Sequence, residues 1–143
     1  MNDKEAIYIE IIKERGISMT AWTSEELEKI GGAEELQIQS VKRDGSLRRP
    51  VTIWVVRIGD DLYVRSVRGR EGWWFRGTQV LHQGRIQAGG VDKNVSFEDE
   101  DDADINAQID SAYRSKYGHY SADIFDPVLT PQARAATLKL VPR

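Results

Sequence analysis

Cysteine is missing from this chain altogether. That one absence removes disulfides, thiol nucleophiles, thiolate zinc sites and iron–sulfur clusters. Histidine is nearly as scarce. His82 and His119 are the only two, and no helical H-x-x-x-H or E-x-x-H spacing accompanies them, so no metal site is expected and both read as structural. No G-x-S-x-G surrounds a serine, and Ser66 has no base beside it, which leaves serine catalysis unsupported. Long apolar runs are also lacking, and nothing approaches the roughly 20 residues of a membrane span. Ala6 to Ile12 is interrupted by Glu10 and preceded by Asp3 and Glu5, unlike a signal peptide, so a cytoplasmic protein is expected.

What the chain does have is segregated charge. The net charge is −3, yet Lys42 to Arg85 holds ten basic residues against four acidic ones. Nine of those ten are arginine, the side chain whose planar fork suits phosphate and carboxylate. A field of one sign concentrates the opposite charge, so the segment points to an anionic, phosphate-bearing small molecule. For any one arginine taken singly, a solvated strand face is the simpler explanation. The acidic run Glu98 to Asp104 lacks the glycine and terminal glutamate of a calcium loop and reads as the charged start of a helix.

At 143 residues with 40% hydrophobic content, the chain can bury a core unaided. Asp3 to Arg15 reads as an amphipathic helix with Ile7, Ile11 and Ile12 on one stripe, within an N-terminal extension over residues 1–21. Thr23-Ser24-Glu25-Glu26 matches a capping box and predicts a helix from Ser24 to about Ile30. Strands are expected over Glu35–Val41, Pro50–Ile58, Leu62–Val67, Gly84–Ala88, Val91–Phe97 and Ala136–Val141. Pro50 to Ile58 is almost continuously apolar and reads as a central strand buried on both faces, with Trp54 in the core. Trp73 to Leu81 is expected to be a short inserted helix, Asp102 to Tyr117 a longer late one, and Thr130-Pro131 starts a last helical turn. The fold class is α+β: a small split or half-closed β-barrel of about six strands with an inserted helix.

The order R-x-D-G, R-P-V-T-I-W-V-V, L-Y-V-R-S-x-x-G-x-x-x-W-W and G-R-I resembles the flavin-binding split β-barrel superfamily. That group includes pyridoxamine-phosphate oxidases and deazaflavin-dependent nitroreductases. Within it, residues 22–143 are most similar to a bacterial domain family of unknown function. The resemblance implies a cofactor of the FMN or deazaflavin type, held by a basic hairpin loop at Arg65, Ser66, Arg68, Gly69 and Arg70. It also implies a strand-edge contact from Arg49, Val51 and Thr52, and an aromatic contact from Trp73 or Trp74. The oxidases' flavin-reading glutamines and substrate-binding Arg/His set have no counterpart.

The implied activity is that of a reductase or oxidase of unknown substrate, in which the cofactor carries the electrons and the protein binds and orients it. A homodimer is expected, with the cofactor at the subunit interface, because Trp73-Trp74-Phe75 and the Ile-rich N-terminal segment supply more apolar surface than one small barrel buries. Two other readings compete. One is a non-enzymatic binder or carrier of an anionic small molecule. The other is a single-stranded nucleic-acid barrel, against which the negative net charge weighs.

Overall fold

The computed structural model describes residues 21–143, and the helix expected over Asp3 to Arg15 lies outside them. The chain enters through helix α1 (Ser24–Gly31), closed at its start by the expected capping box. Glu26 N–H donates to Thr23 Oγ1 at 3.1 Å, and Thr23 N–H donates back to Glu26 Oε1 at 2.9 Å. Two orphan donors of the first turn are thereby satisfied. Strand β1 (Leu36–Ser40) follows, with Leu36, Ile38 and Ser40 buried and Gln37 and Gln39 half-buried between them.

The expected central strand is two strands. β2 (Val51–Ile53) and β3 (Val56–Ile58) are separate three-residue segments with exposed positions at Thr52 and Arg57. Between them Trp54-Val55 turns a corner. Val55 N–H donates to Tyr117 Oη at 3.3 Å, and its carbonyl accepts Lys116 Nζ at 2.7 Å. Side chains of a helix thus take the backbone groups that a continuous strand would have paired in a ladder. An unbroken apolar run does not show such a corner, because burial of the corner and burial of a strand use the same residues.

β4 (Asp61–Arg65) returns from β3 through Gly59, which sits at φ +59. Helix α2 (Trp73–Leu81) then occupies the expected span and is followed by the hairpin of β5 (Gln83–Ala88) and β6 (Val91–Asp99). Glu98 and Asp99 belong to β6, and Asp102 caps helix α3 (Ala103–Tyr117) by accepting Ile105 N–H at 2.9 Å. Two short helices, α4 (Ala122–Phe125) and α5 (Pro131–Arg134), lead to the last strand, β7 (Thr137–Pro142).

The seven strands form one antiparallel sheet in the order β2-β1-β5-β6-β7-β4-β3. β2 and β3 are therefore the two edges of the sheet and consecutive in the chain, so the sheet curls until its edges meet at Trp54-Val55. The result is a split β-barrel in an α+β setting, with seven strands among the described residues where about six were expected. Its interior is filled by Leu36, Ile38, Val64, Ile86, Val95, Leu138 and Leu140, with Phe75 of α2 inserted among them. A second core lies outside the barrel wall, where Ile109, Tyr113 and Tyr117 of α3 cover Val56 and Tyr63. Among the described residues, no helix is long and apolar enough to cross a membrane.

Candidate functional site

Three elements converge beside the corner. The edge strand β2, the end of β4 and the first turn of α2 frame a half-open cleft of about 200 Å3, lined by Thr52, Ile53, Trp54, Arg65, Val67, Trp74, Ile124 and Val128. Trp54 belongs to this wall. It is half-buried rather than enclosed in the core, because the corner turns its indole out of the barrel and onto Tyr117. Among the described residues, no strand pairs with the outer edge of β2, so its peptide groups face the cleft side without a ladder partner there.

Trp74 joins this cleft to a smaller hollow of about 10 Å3 shared by Ser40, Arg48, Arg49, Val51, Trp73 and Thr78. Its floor is pinned by Arg48, whose Nη1 donates to Ser40 Oγ at 3.3 Å and to the Val41 carbonyl at 3.0 Å. On the other side Val67 leads into a shallow hollow of about 430 Å3 over Ala122, Asp126, Pro127, Thr130 and Gln132. Arg49, Val51, Thr52, Trp73 and Trp74 are thus brought to one continuous face, with Trp73 56% exposed and Trp74 packed half-buried on the core.

Arg65 is the exception. Its side chain is fully enclosed, and all five of its N–H donors are used inside the protein. Nε donates to Thr137 Oγ1 at 3.0 Å. Nη1 donates to Asp110 Oδ1 at 2.6 Å and the Val128 carbonyl at 3.1 Å, and Nη2 to the carbonyl and Oδ1 of Asn106 at 3.2 and 2.8 Å. Arg134 pairs with the other oxygen of Asp110 at 2.9 Å. Arg65 therefore has no donor left for a cofactor phosphate and instead ties β4 to α3 and β7. The guanidinium also lies 5.5 Å from the Tyr113 ring centre; burial pushes that phenol's pKa well up, with the nearby positive charge opposing.

Beyond Arg65 the loop tightens into a 3-10 turn over Gly69–Glu71. Gly69 holds φ +74, and a methyl there would lie 2.4 Å from the Gln132 side chain, which itself donates to the Arg68 carbonyl at 2.7 Å. Arg70 packs 5.1 Å from the Phe75 ring and reaches the Ala135 carbonyl at 3.1 Å and Asp99 at 3.4 Å. Arg68 is exposed and makes no ion pair with other described residues. The turn delivers the chain to α2, whose N-cap Gly72 supplies no side-chain bond. The Ser66 hydroxyl lies against this N-terminus, 2.6 Å from where a Gly72 Cβ would stand, and is buried without a hydrogen-bond partner among the described residues.

Sequence reasoning found the basic turn and the tryptophans but missed Ile53, Val67, Ile124 and Val128 as walls. Ile124 and Val128 come from a stretch with no helical or strand period, so no sequence signal marked them.

The family described as "Uncharacterized protein conserved in bacteria (DUF2255)" matches residues 26–140. The chain belongs to that family. No curated protein matches it in sequence. Solved structures share its fold at low identity. The heme storage protein HutZ from Vibrio cholerae is 15% identical, with TM-score 0.60 over 83% of this chain and 88% of that one. An FAD-binding protein from Mesorhizobium loti is 16% identical, with TM-score 0.54 over 86% and 91%. A structure described as an F420 reductase is 14% identical, with TM-score 0.51 over 82% and 90%. These likenesses carry the fold alone, a split β-barrel.

Proposed function

We propose that this DUF2255 protein binds a flavin-type cofactor, FMN or a deazaflavin, in the cleft beside the Trp54-Val55 corner and serves as an oxidoreductase. One observation carries the reading. An aromatic-walled cleft opens along an edge strand and beside a helix N-terminus without a side-chain cap, where the exposed Arg68 lies with the Ser66 hydroxyl, which has no hydrogen-bond partner among the described residues. The first-turn N–H groups of a helix favour an anion, so α2 and Arg68 would hold a phosphate. Val67, Trp54 and Trp74 would flank a planar ring, and the β2 edge would read its polar rim through peptide groups. Such a cofactor supplies the electron transfer; these residues bind it, orient it and keep water from one of its faces. Fold relatives described as FAD-binding and as an F420 reductase support the same ligand class.

A cleft of about 200 Å3 lies below the ~300–1,000 Å3 of ordinary ligand sites. One chain thus provides one wall, and a second copy of the chain would provide the other. The test is titration with FMN and riboflavin, followed by flavin fluorescence. Arg68→Ala should weaken FMN binding by about 10- to 100-fold, the worth of one charge-assisted contact, and leave riboflavin unchanged. Arg70→Ala should do less, since Asp99 already occupies its guanidinium. Equal weakening for both ligands would remove Arg68 from the phosphate role. Absence of binding by FMN and by a deazaflavin would end the reading.

A further inference from the structure

The wall of the cleft continues through the protein as a pile of aromatic rings. Trp54, which lines the cleft, stacks on Tyr117 with ring centres 4.2 Å apart and planes 6° from parallel. It also lies against Tyr120, with centres 5.4 Å apart and planes 26° from parallel. Tyr120 is half-buried at the surface end, and its phenol donates a hydrogen bond to the carboxylate of exposed Glu34. Indole and phenol are the two side-chain rings most readily oxidised by one electron. A phenol gives up its electron easily only when a base takes its proton at the same time.

The two tyrosines differ in that respect. The Tyr117 hydroxyl donates to the Glu34 carbonyl at 2.8 Å and accepts Val55 N–H at 3.3 Å. A carbonyl does not hold a proton, so oxidation cannot rest there. Tyr120 alone in the pile is bonded to a carboxylate.

We propose that Trp54, Tyr117 and Tyr120 form a one-electron relay from the cleft to the surface, with Glu34 as the proton acceptor. The oxidant is a one-electron acceptor in the cleft, such as a light-excited oxidised flavin. It gains one electron from Trp54, which becomes a radical cation. Trp54 is refilled by one electron from Tyr120 as the phenolic O–H bond breaks and the proton passes to Glu34. The net result is a singly reduced acceptor, a neutral Tyr120 radical and a protonated Glu34. A soluble one-electron reductant, such as ascorbate, then donates at the surface and restores Tyr120. Tyr117 serves as the stacked ring that holds Trp54 in place and couples it to the pile.

No flavin is required for this relay, and none is added in its test. Azide radical generated by pulse radiolysis oxidises indole rings selectively. The protein is used with Trp73→Phe, which removes the indole that is 56% exposed. Decay of the indole radical absorption should be matched by growth of tyrosyl radical absorption, at a first-order rate independent of protein concentration. Tyr120→Phe keeps the ring pile and should abolish this phase. Glu34→Gln, at an exposed position, should slow it and change its solvent deuterium effect. Trp54→Phe should also abolish it. An unchanged phase in Tyr120→Phe or in Trp54→Phe overturns the relay, and an unchanged rate in Glu34→Gln overturns the proton acceptor. Flavin titration of the same variants reports separately on the proposed cofactor.

Discussion

Arg65, packed beneath helix α3, and Lys116, which projects from that helix, are two cations whose surroundings give them opposite consequences. Arg65 has five acceptors for five donors, among them the Asp110 carboxylate. Truncation to alanine would leave Asp110 and Asn106 buried without it. Breaking one side of a buried pair costs about 3–5 kcal/mol, so Arg65→Ala should show a loss of that order in urea unfolding. A loss below about 1 kcal/mol would mean that the network is not holding β4 to α3. Lys116 makes no ion pair with the other described residues; its Nζ donates to the Val55 carbonyl and lies 5.0 Å from the Tyr117 ring centre. Burial lowers its pKa to about 8 from the usual 10.5, with the Glu34 charge opposing. The folded protein therefore binds fewer protons here than the unfolded chain between about pH 8 and 10.5. Stability must rise with pH in that window and be flat, with the full penalty in place, below it. Burial lifts the Tyr63 and Tyr117 phenols to about 12, and their contribution is lost as pH climbs from 10 through 12. The clean window is thus pH 8 to just under 10. There the wild-type protein should gain stability relative to Lys116→Met, by a fraction of the roughly 1 kcal/mol per unit that a fully buried group would show. No difference in slope between the two would place the lysine in solvent.

At the scale of elements, the barrel depends on its corner and on one turn. Tyr117→Phe removes the hydroxyl that receives Val55 N–H, leaving that donor buried and unpaired. A cost of about 1–3 kcal/mol is expected in chemical unfolding, although the ring pile is retained. Gly69→Ala would force an alanine to φ +74, at a strain of about 1–2 kcal/mol, and would displace Gln132 from the Arg68 carbonyl. The same variant should therefore also weaken FMN binding; stability lost with affinity intact would separate the turn from the site. These two places show what a sequence can reveal. Gly69 within Arg68-Gly69-Arg70, the capping box at Thr23 and the span of α2 were all legible, because each is local chemistry expressed in neighbouring residues. The corner was not. Val51-Thr52-Ile53 and Val56-Arg57-Ile58 look like one strand until Tyr117 and Lys116, some 60 positions away, arrive to claim the backbone between them. Arg65 failed for the same reason, since its partners at 106, 110, 128 and 137 come from other elements. Arginine next to serine and glycine reads as an anion loop whether its side chain points to solvent or to a buried carboxylate.

At the scale of the molecule, the basic segment does not form one patch. Arg65 is buried, Arg70 faces Asp99 and Arg85 faces Asp92, while Arg49, on the smaller hollow, and Arg68, next in sequence to cleft-lining Val67, are exposed. Along the same face lie three of the large apolar side chains that remain exposed, Val67 at 51%, Trp73 at 56% and Ile124 at 52%. Val67 and Ile124 line the cleft, while Trp73 borders its smaller neighbour. Exposed apolar groups gathered beside an incomplete cavity are the pattern of a surface meant to be covered. A closed two-fold pairing of this face would bring each Trp73 toward the other chain and give each cleft its missing wall. The protein should therefore run as a homodimer in size-exclusion chromatography with light scattering at micromolar concentration. Trp73→Glu, which places a charge at the centre of that face and alters nothing inside the barrel, should shift it to monomer and weaken FMN binding in step. A wild-type monomer that binds FMN tightly would show that one chain completes the site unaided, and the dimer would then have no part in it.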